Sequence, residues 1–318
     1  PFQYLSVGRS MKVLAFRHQF QGALANMQFS HPEIEIVDWF DNPYPEADHY
    51  ITCNIYCDKF REDPVFSFVE MSNKPYMIFE TAVFKRQART GDWLDWHWRL
   101  GWWHLLAPGK FNNRNSPPDR WLALKQRQKL EVLPWRKQGK HILIPLQKNN
   151  DSVVQTMMDR YGSMRNWLNH TIQDIRKYSD RPILIRPSAK TNPLSWADAE
   201  RLPNVSISTT YKDNPSTDGT KFTKNIEGGP GLLTELADAW AVVGYNTSTL
   251  FESITDGIPT VSLDPDALTG PCSIPIELIE DPPMDIEREQ WLYNMAYISW
   301  SMDEIQRGVA WEHLKGKY

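Results

Sequence analysis

The stretch AWAVVGYNTSTLFESITDGIPTVSL, residues 239–263, predicts a strand, a hydroxyl-rich turn, a short helix and a second strand in immediate succession. The apolar runs 241–243 and 258–263 have the composition of strands buried on both faces. Between them, Thr249 and Glu252 have the spacing of a capping box, and Gly257 followed by Pro259 is typical of a helix end. These signals together predict a ligand-bearing unit of an α/β domain.

The predicted turn is unusually polar, and its four polar residues crowd the helix N-terminus: Asn246, Thr247, Ser248 and Thr249. A helix N-terminus offers unpaired N–H groups and about half a positive charge, so a phosphate is a suitable ligand. The alternative is that these side chains only cap the helix. Glu252 is open to two interpretations as well, since it can reach back to the Thr249 backbone or accept hydrogen bonds from the hydroxyls of a ribose.

The stretch resembles the donor-nucleotide region of glycosyltransferases with the two-domain GT-B architecture, especially the capsule-polysaccharide branch. The residues that carry this resemblance are Ala237, Asp238, Ala239, Val242, Ser248, Glu252, Gly257, Pro259 and Val261. Sugar-nucleotide epimerases and glycerophosphate transferases share the pattern. The resemblance implies a nucleotide sugar as donor substrate.

Composition limits the protein class. The chain has 318 residues, 41% of them hydrophobic, which is enough for two domains with their own cores. It contains no apolar run of membrane-spanning length and no export leader, so we expect a cytoplasmic protein, in the host cytoplasm if a phage encodes it. Cys53, Cys57 and Cys272 are too few for a disulfide framework and are expected to be free thiols. The oligomeric state is left open.

Two strand-helix series follow one another along the chain. The first contains apolar runs at 11–16, 33–38, 49–53 and 75–79, with a short helix at 23–27, and the second contains runs at 141–146, 182–185 and 205–208, with a helix at 164–177. Such alternation predicts parallel sheets in two facing Rossmann-like domains, GT-B-like, over 1–138 and 139–284 with a hinge near 135–141. Residues 285–318 predict two helices split near Trp300, with a capping box at Ser301 and Glu304, that return to the first domain.

A second resemblance to capsule transferases covers HILIPLQKNND at 141–151 and PILIRPSAK at 182–190. Those enzymes have His-Pro where this chain has Ser188 and Ala189, so the usual imidazole contact to the donor phosphate is missing. Arg186, Ser188 and Lys190 are therefore the predicted substitutes as phosphate donors. The alternative is that Arg186 and Lys190 are ordinary surface cations.

The segment 84–140 is strongly basic, with thirteen Lys and Arg against four Asp and Glu in a chain of net charge −4. Tryptophans are interleaved with these cations, a combination that suits a polyanionic or nucleic-acid acceptor. Part of the segment, NNRNSPPDRW followed by LPWRKQGKHILI, resembles bacteriophage-encoded glycosyltransferase-like proteins, which implies hydroxymethylated phage DNA as acceptor. The predicted acceptor-binding residues are Lys85, Arg86, Arg89, Trp102, Trp103, Lys110, Arg114 and Arg120.

Several alternatives to this acceptor remain open. A solvated basic face over an aromatic core would have the same composition, and Trp96, Leu100 and Trp103 fall at helical spacing. The acceptor could equally be an anionic capsular glycan or a glycolipid. The chain could also be a sugar-nucleotide epimerase, or a nucleic-acid-binding module without catalytic activity.

Transfer to a hydroxyl group needs a general base, usually Asp, Glu or His. Glu80 and His18 each follow a predicted strand of the first domain and are the predicted catalytic residues, with Asp264 and Asp266 placed similarly in the second domain. Asp264-Pro265-Asp266 is interpreted as a turn. We expect no metal requirement, because cations and a helix N-terminus can neutralise the leaving group.

Overall fold

The computed structural model describes residues 11–16, 27–37, 46–53, 64–84, 93–149, 151, 153–188, 191–210 and 229–318. Strands within these ranges are β1 (Val13–Phe16), β2 (Ile34–Val37), β3 (His49–Cys53), β4 (Tyr76–Thr81), β5 (His97–Trp102), β6 (His141–Pro145), β7 (Ile183–Arg186), β8 (Val205–Ile207), β9 (Ala239–Gly244), β10 (Thr260–Ser262) and β11 (Ser299–Ser301). Helices are α1 (Pro64–Met71), α2 (Asp119–Gln128), α3 (Val154–Tyr161), α4 (Met164–Arg176), α5 (Gly229–Ala237), α6 (Thr249–Thr255), α7 (Glu289–Ala296), α8 (Met302–Gln306) and α9 (Val309–Leu314). Among the described residues, no helix combines the length and the apolar composition needed to cross a bilayer.

The first sheet has the strand order β11-β5-β4-β3-β1-β2. Strands β1 to β4 are parallel, as predicted, and their side chains are mostly buried because apolar layers cover both faces. The second sheet has the order β10-β9-β6-β7-β8 and is parallel throughout its described strands. The prediction of two Rossmann-like α/β domains is confirmed.

The first sheet differs from the prediction at one edge. Residues 97–102 form β5, which pairs antiparallel with β4, although Trp96, Leu100 and Trp103 have helical spacing. The stronger signal is the alternation of Trp98, Leu100 and Trp102, which places three apolar side chains on one face of a strand. The sheet is therefore mixed rather than wholly parallel.

The C-terminal segment completes the first domain. Between α7 and α8 the chain forms β11, which pairs antiparallel with β5, so the predicted pair of helices is interrupted by a strand. The capping box at Ser301 and Glu304 is confirmed at the start of α8. Trp311 and Leu314 of α9 are buried in the first-domain core, and the predicted return of the terminal helices to this domain is confirmed.

The segment between the domains is hydrogen-bonded to the second domain. The backbone N–H groups of Leu133, Arg136 and Lys140 donate to the carbonyls of Thr255, Gly257 and Asp238 over 2.8, 2.9 and 2.7 Å. Residues 133–140 are thus attached along their length to one domain. The hinge predicted near 135–141 stays a prediction.

Candidate functional site

Polar side chains converge at the carboxyl edge of the second sheet. Gln147 follows β6, Asn246 follows β9 and Asp264 follows β10. Gln147 donates through Nε2 to the Asn246 carbonyl over 3.0 Å and accepts from the Asn246 N–H over 3.3 Å, while Asn246 Nδ2 donates to Asp264 Oδ2 over 2.7 Å. Because parallel strands end at the same edge, residues 99 and 18 positions apart in sequence form one hydrogen-bonded row.

This row fixes the turn at 246–249. Helix α6 begins at Thr249, and Ser248 is its N-cap residue in a helical conformation without a side-chain cap hydrogen bond. The predicted capping box at Thr249 and Glu252 is therefore wrong, since Thr249 lies inside the helix. Among the described residues, the N–H groups of Thr247 and Ser248 and the Ser248 hydroxyl have no partner. The partly exposed turn thus presents three unused donors.

The two carboxylates of this region are buried. Burial raises the pKa of Asp264, although hydrogen bonds from the Asp266 N–H and the Asn246 amide act in the opposite direction. The bond from the Asp266 N–H to Asp264 Oδ1, 3.0 Å long, forms the turn predicted for residues 264–266. Glu252 lies in the first turn of α6 and is 6% exposed.

Arg186 lies at the end of β7 but points into a buried network. Its guanidinium forms an ion pair with Glu235 at 2.7 Å and donates to the hydroxyl of Thr210 over 2.7 Å. The Arg186 side chain is therefore held by polar contacts inside the second domain. Neither the prediction that it binds a phosphate nor the alternative that it is an ordinary surface cation anticipated this. Ser188 is half-buried, and its N–H donates to Thr191 Oγ1 over 2.9 Å. Lys190 lies outside the described residues.

Glu80 is the described member of the predicted catalytic pair, and His18 lies outside the described residues. The Glu80 side chain is half-buried near the end of β4, opposite Arg99 of β5, and its Oε1 accepts from the Thr81 N–H over 2.6 Å. Four residues later, the Phe84 ring packs edge-on against Phe251 in the first turn of α6, with centroids 6.1 Å apart. The residues that follow β4 therefore lie against the helix that carries the polar turn.

The predicted acceptor residues do not form one surface. Trp102 is fully buried, and its indole N–H donates to the Leu314 carbonyl over 2.8 Å, so its ring cannot stack on a base. Trp103 is half-buried against Tyr76. Arg120 forms a bidentate ion pair with Glu304 at 2.7 and 3.0 Å. Lys110 and Arg114 are exposed, and Lys85, Arg86 and Arg89 lie outside the described residues.

The tryptophan-rich segment mainly builds core. Trp98, Trp102, Trp121 and Phe111 are all buried, which is the aromatic-core alternative for this part of the chain. One cluster of potential metal ligands occurs among the described residues, His31, Glu33 and Glu312. The Lys315 ammonium lies 2.5 Å from Glu312 and 3.7 Å from Glu33, so a cationic side chain already contacts both carboxylates.

Gln147 is a residue of this polar edge that sequence reasoning did not select. Two features of the sequence pointed to this residue: it directly follows a predicted strand, and it lies in the loop that carries the resemblance to capsule transferases. Its partner Asn246 is 99 residues away, so their pairing follows from the strand order β9-β6, which the sequence does not state.

No family model matches the chain, and no curated protein matches it. Among solved structures, it is similar to the beta Kdo 2,4 transferase of Thermosulfurimonas dismutans KpsC, with 10% identity, a TM-score of 0.49 and 92% of each chain covered. It is also similar to the beta Kdo 2,7 transferase of the same protein, with 12% identity, a TM-score of 0.41 and coverage of 96% of this chain and 99% of that one.

Proposed function

We propose that the chain is a glycosyltransferase that moves a sugar from a nucleotide-sugar donor to an acceptor hydroxyl. The observation that carries this proposal is the row of Gln147, Asn246 and Asp264, which holds a turn with unused N–H and hydroxyl donors at the carboxyl edge of a parallel sheet. Ligands of open α/β sheets bind at this edge. The resemblance of residues 237–261 to capsule transferases gives the same expectation.

In this proposal the donor diphosphate or monophosphate accepts hydrogen bonds from the N–H groups of Thr247 and Ser248 and from the Ser248 hydroxyl. These donors face the charge that develops on the phosphate oxygen as the glycosidic bond breaks, so they stabilise the leaving group. Glu252 accepts hydrogen bonds from the ribose hydroxyls. Asn246 and Asp264 are positioning residues that hold the turn.

Glu80 is the proposed general base. Its carboxylate takes the proton of the acceptor hydroxyl as that oxygen forms a bond to the anomeric carbon, and the bond from this carbon to the donor phosphate breaks with its electron pair on the phosphate. Support comes from the Phe84–Phe251 contact, which brings the chain after β4 to the first turn of α6. No step needs a metal ion if the turn neutralises the leaving phosphate.

The acceptor we favour is a hydroxyl of a glycan, as in an anionic capsular polysaccharide or a glycolipid. The DNA acceptor implied by the basic segment requires accessible aromatic rings and cations. Of the residues selected for it, Trp102 is core and Arg120 is ion-paired, which leaves Lys110 and Arg114 exposed among those described. Those two cations could still attract an anionic glycan.

The test begins with a thermal-shift screen of CMP, UDP, GDP and dTDP, followed by incubation of the preferred nucleotide's sugars with acceptors. We expect one nucleotide to stabilise the protein and an anionic oligosaccharide to gain the mass of one sugar. Conversion of the nucleotide sugar to its epimer without an acceptor would show an epimerase instead. Mass gain on hydroxymethylated duplex DNA at about 50 mM salt, where phosphate contacts are strong, would restore the DNA acceptor.

A further inference from the structure

The C-terminal segment 299–318, which comprises β11, α8 and α9, meets the rest of the first domain at three histidines. His49 packs under α9, His97 lies on β5 beside β11, and His313 of α9 contacts the loop after β5. The proposed glycosyl transfer uses none of these residues. An imidazole that must lose or gain a proton when its surroundings change can couple the position of a segment to pH.

His49 is enclosed by aromatic rings. The residue is 4% exposed, and the ring centroids of Trp102, Trp311 and Tyr318 lie 5.4, 5.5 and 5.2 Å from that of its imidazole. Among the described residues, neither ring nitrogen has a hydrogen-bond partner, and both are shielded from solvent. A protonated ring would place a charge and two N–H donors in this enclosure, which costs free energy. His49 is therefore neutral when the segment is in place.

The charges around His49 do not offset its burial. Burial lowers the pKa of His49 and is the largest effect, while Asp48 raises it, Lys74 lowers it and Glu33 raises it. On the side of α9, the Lys315 ammonium lies 3.7 Å from Glu33, so this carboxylate is shared with a cation. Protonation of His49 in the closed structure is thus unfavourable.

Water can reach the His49 nitrogens only if one wall of the enclosure moves. Trp102 is held in the first sheet as part of β5. The rings of Trp311 and Tyr318 belong to the segment 299–318, so their displacement opens the enclosure. Displacement of the segment and protonation of His49 therefore favour each other.

His97 has the same dependence on β11. Burial, followed by the charge of Arg127, lowers the pKa of His97 to about 4, with Glu304 acting in the opposite direction and Arg120 in the same one. The Asp95 carboxylate on this side is bound to Arg127 at 2.6 Å. Separation of β11 from β5 would expose the imidazole and let it take up a proton near its ordinary pKa.

His313 anchors α9 to the loop after β5. Its Nε2 lies 3.0 Å from the Asn112 carbonyl oxygen, and the Asn112 amide donates to the His313 carbonyl over 2.9 Å. Burial lowers the pKa of His313, and the charges of Arg120 and Lys317 add to the lowering although backbone hydrogen bonds oppose it. The Tyr297 ring, 5.5 Å away, is uncharged at neutral pH. No carboxylate thus compensates a charge on this ring among the groups that shift its pKa.

One histidine acts in the opposite direction. His31 Nε2 lies 3.1 Å from Glu312 of α9, so protonation of His31 strengthens that contact. Glu312 is 49% exposed and already contacts Lys315, and an ion pair in such a position contributes little. The three enclosed rings therefore decide the response of the segment to acid.

The second domain has a weaker response. Its described histidines are His141 and His170. Burial lowers the pKa of His141, but Asp238 and Glu235 act in the opposite direction. His170 is exposed and lies 3.2 Å from Asp174, so its protonation does not oppose folding.

We propose that residues 299–318 form an acid-sensitive strap, which completes the first domain at neutral pH and is loosened when His49, His97 and His313 are protonated. Each ring binds a proton more readily in the released state, so the strap is fully stable above about pH 6.5 and loses stability as the pH falls toward 4. Release uncovers the outer edge of β5 while the second sheet stays folded. The proposal is independent of the donor site.

The experiment is hydrogen–deuterium exchange of the whole chain, followed by mass spectrometry at pH 7 and pH 5 with labelling times scaled to the intrinsic exchange rate. Peptides covering 299–314 report on the strap, and peptides covering β6 and β9 report on the second domain. At pH 5 His97 alone should lower the protection of the strap roughly thirtyfold, because its pKa changes from about 4 to 6.5 on release. His49 and His313 should add to this loss, and β6 and β9 should lose far less.

His49→Leu tests the coupling directly, because it replaces the titrating ring by an apolar side chain of similar volume. At pH 5 the strap should keep more protection in this variant than in the parent, and His49→Phe, which restores an aromatic ring, should behave in the same way. His170→Gln is the control and should follow the parent. Equal acid losses in the parent and in both His49 variants would overturn the proposal. So would a parent strap that keeps its protection at pH 5, or a second sheet that loses protection together with the strap.

Discussion

The ring of Phe84 contacts the ring of Phe251 across the boundary between the two domains, and Trp291 packs against both. Phe251 belongs to the same helical turn as Glu252, so the first domain covers part of the helix that carries the polar turn. The helix that carries the polar turn and the residues just after β4, Val83 and Phe84, thereby meet in one apolar cluster.

The polar turn at 246–249, the proposed donor site, gives the first prediction. Replacing Ser248 by Ala removes a hydroxyl without a protein partner and should weaken binding of the preferred nucleotide by about 1 to 3 kcal/mol, the usual cost of a lost hydrogen bond to a charged group. Isothermal titration measures the change. Ser206→Ala, at an exposed position of β8, is the control. Equal nucleotide affinity in the parent and in folded Ser248→Ala would remove the turn from the donor site.

The proposed general base, Glu80, gives the second prediction. Glu80→Gln keeps the size of the side chain but cannot accept a proton, so kcat should fall by roughly 10²- to 10⁴-fold while the nucleotide affinity stays the same. Glu70→Gln, on the exposed side of α1, should leave kcat unchanged. A kcat for Glu80→Gln within about a factor of two of the parent would leave His18 as the predicted base.

Arg120 is half-buried and ion-paired whereas Arg114 is exposed, so replacing each by Ala should change the free energy of unfolding by different amounts. Arg120 is paired with Glu304, donates to the Ser299 carbonyl over 2.8 Å and lies 4.1 Å above the Trp300 ring. Arg120→Ala should lower the free energy of unfolding by about 2 to 4 kcal/mol, because Glu304 loses its partner in a half-buried site. Arg114→Ala, at an exposed position, should change it by less than about 0.5 kcal/mol. Urea unfolding of both variants measures this, and equal losses would contradict the ion pair's role.

His97 gives a pH prediction. Its pKa is about 4 in the folded protein and 6.5 in the reference state, so the unfolded chain binds a proton first as the pH falls. Above pH 6.5 protonation of His97 does not contribute to stability, and between pH 6.5 and 4 it should remove up to about 3 kcal/mol from the free energy of unfolding. Burial lowers the pKa of His49 too, which adds to the loss in the same direction.

Denaturant unfolding at pH 7, 5.5 and 4.5 checks the titration of His97. His97→Gln should lose less stability on acidification than the parent, whereas His170→Gln, at an exposed position of α4, should follow the parent. Parallel curves for the parent and His97→Gln would show that His97 does not stay neutral in the fold.

Two glycines with left-handed backbone allow the cost of backbone strain to be measured apart from the cost of a steric clash. Gly257 (φ +70°) and Gly316 (φ +72°) both have left-handed backbone, but a Cβ on Gly257 would lie 2.0 Å from the Pro134 carbonyl oxygen, while one on Gly316 would meet nothing within 4 Å. Gly316→Ala should cost about 1 kcal/mol and Gly257→Ala roughly 1 to 3 kcal/mol more. Similar costs in thermal unfolding would mean that the segment 133–140 is not held against this turn.

The parallel strands could be predicted because each is a short apolar run, and β3 has the same bounds as the predicted strand, His49–Cys53. Strand β5 could not, because its tryptophans lie in a basic segment whose composition also fits a nucleic-acid surface. Which tryptophans of this segment are buried depends on the pairing of β5 with β11, which lies about 200 residues later in the chain. The turn at 246–249 was visible in the sequence, whereas its link to Gln147 and the burial of Arg186 depend on strand order.

Strand β11 has a consequence for biosynthesis. Residues 299–301 form the outer strand beside β5, and Leu314 accepts the hydrogen bond of the buried Trp102 indole. A ribosome releases residues 97–102 long before either of these partners exists, so nascent chains carry a tryptophan-rich strand that has β4 on one side and an open edge on the other while the second domain is being made. The second domain can fold as it emerges, and the first can be completed only after it. Chaperones that recognise exposed apolar strands should therefore bind this chain during translation and release it once residues 299–314 have been synthesised.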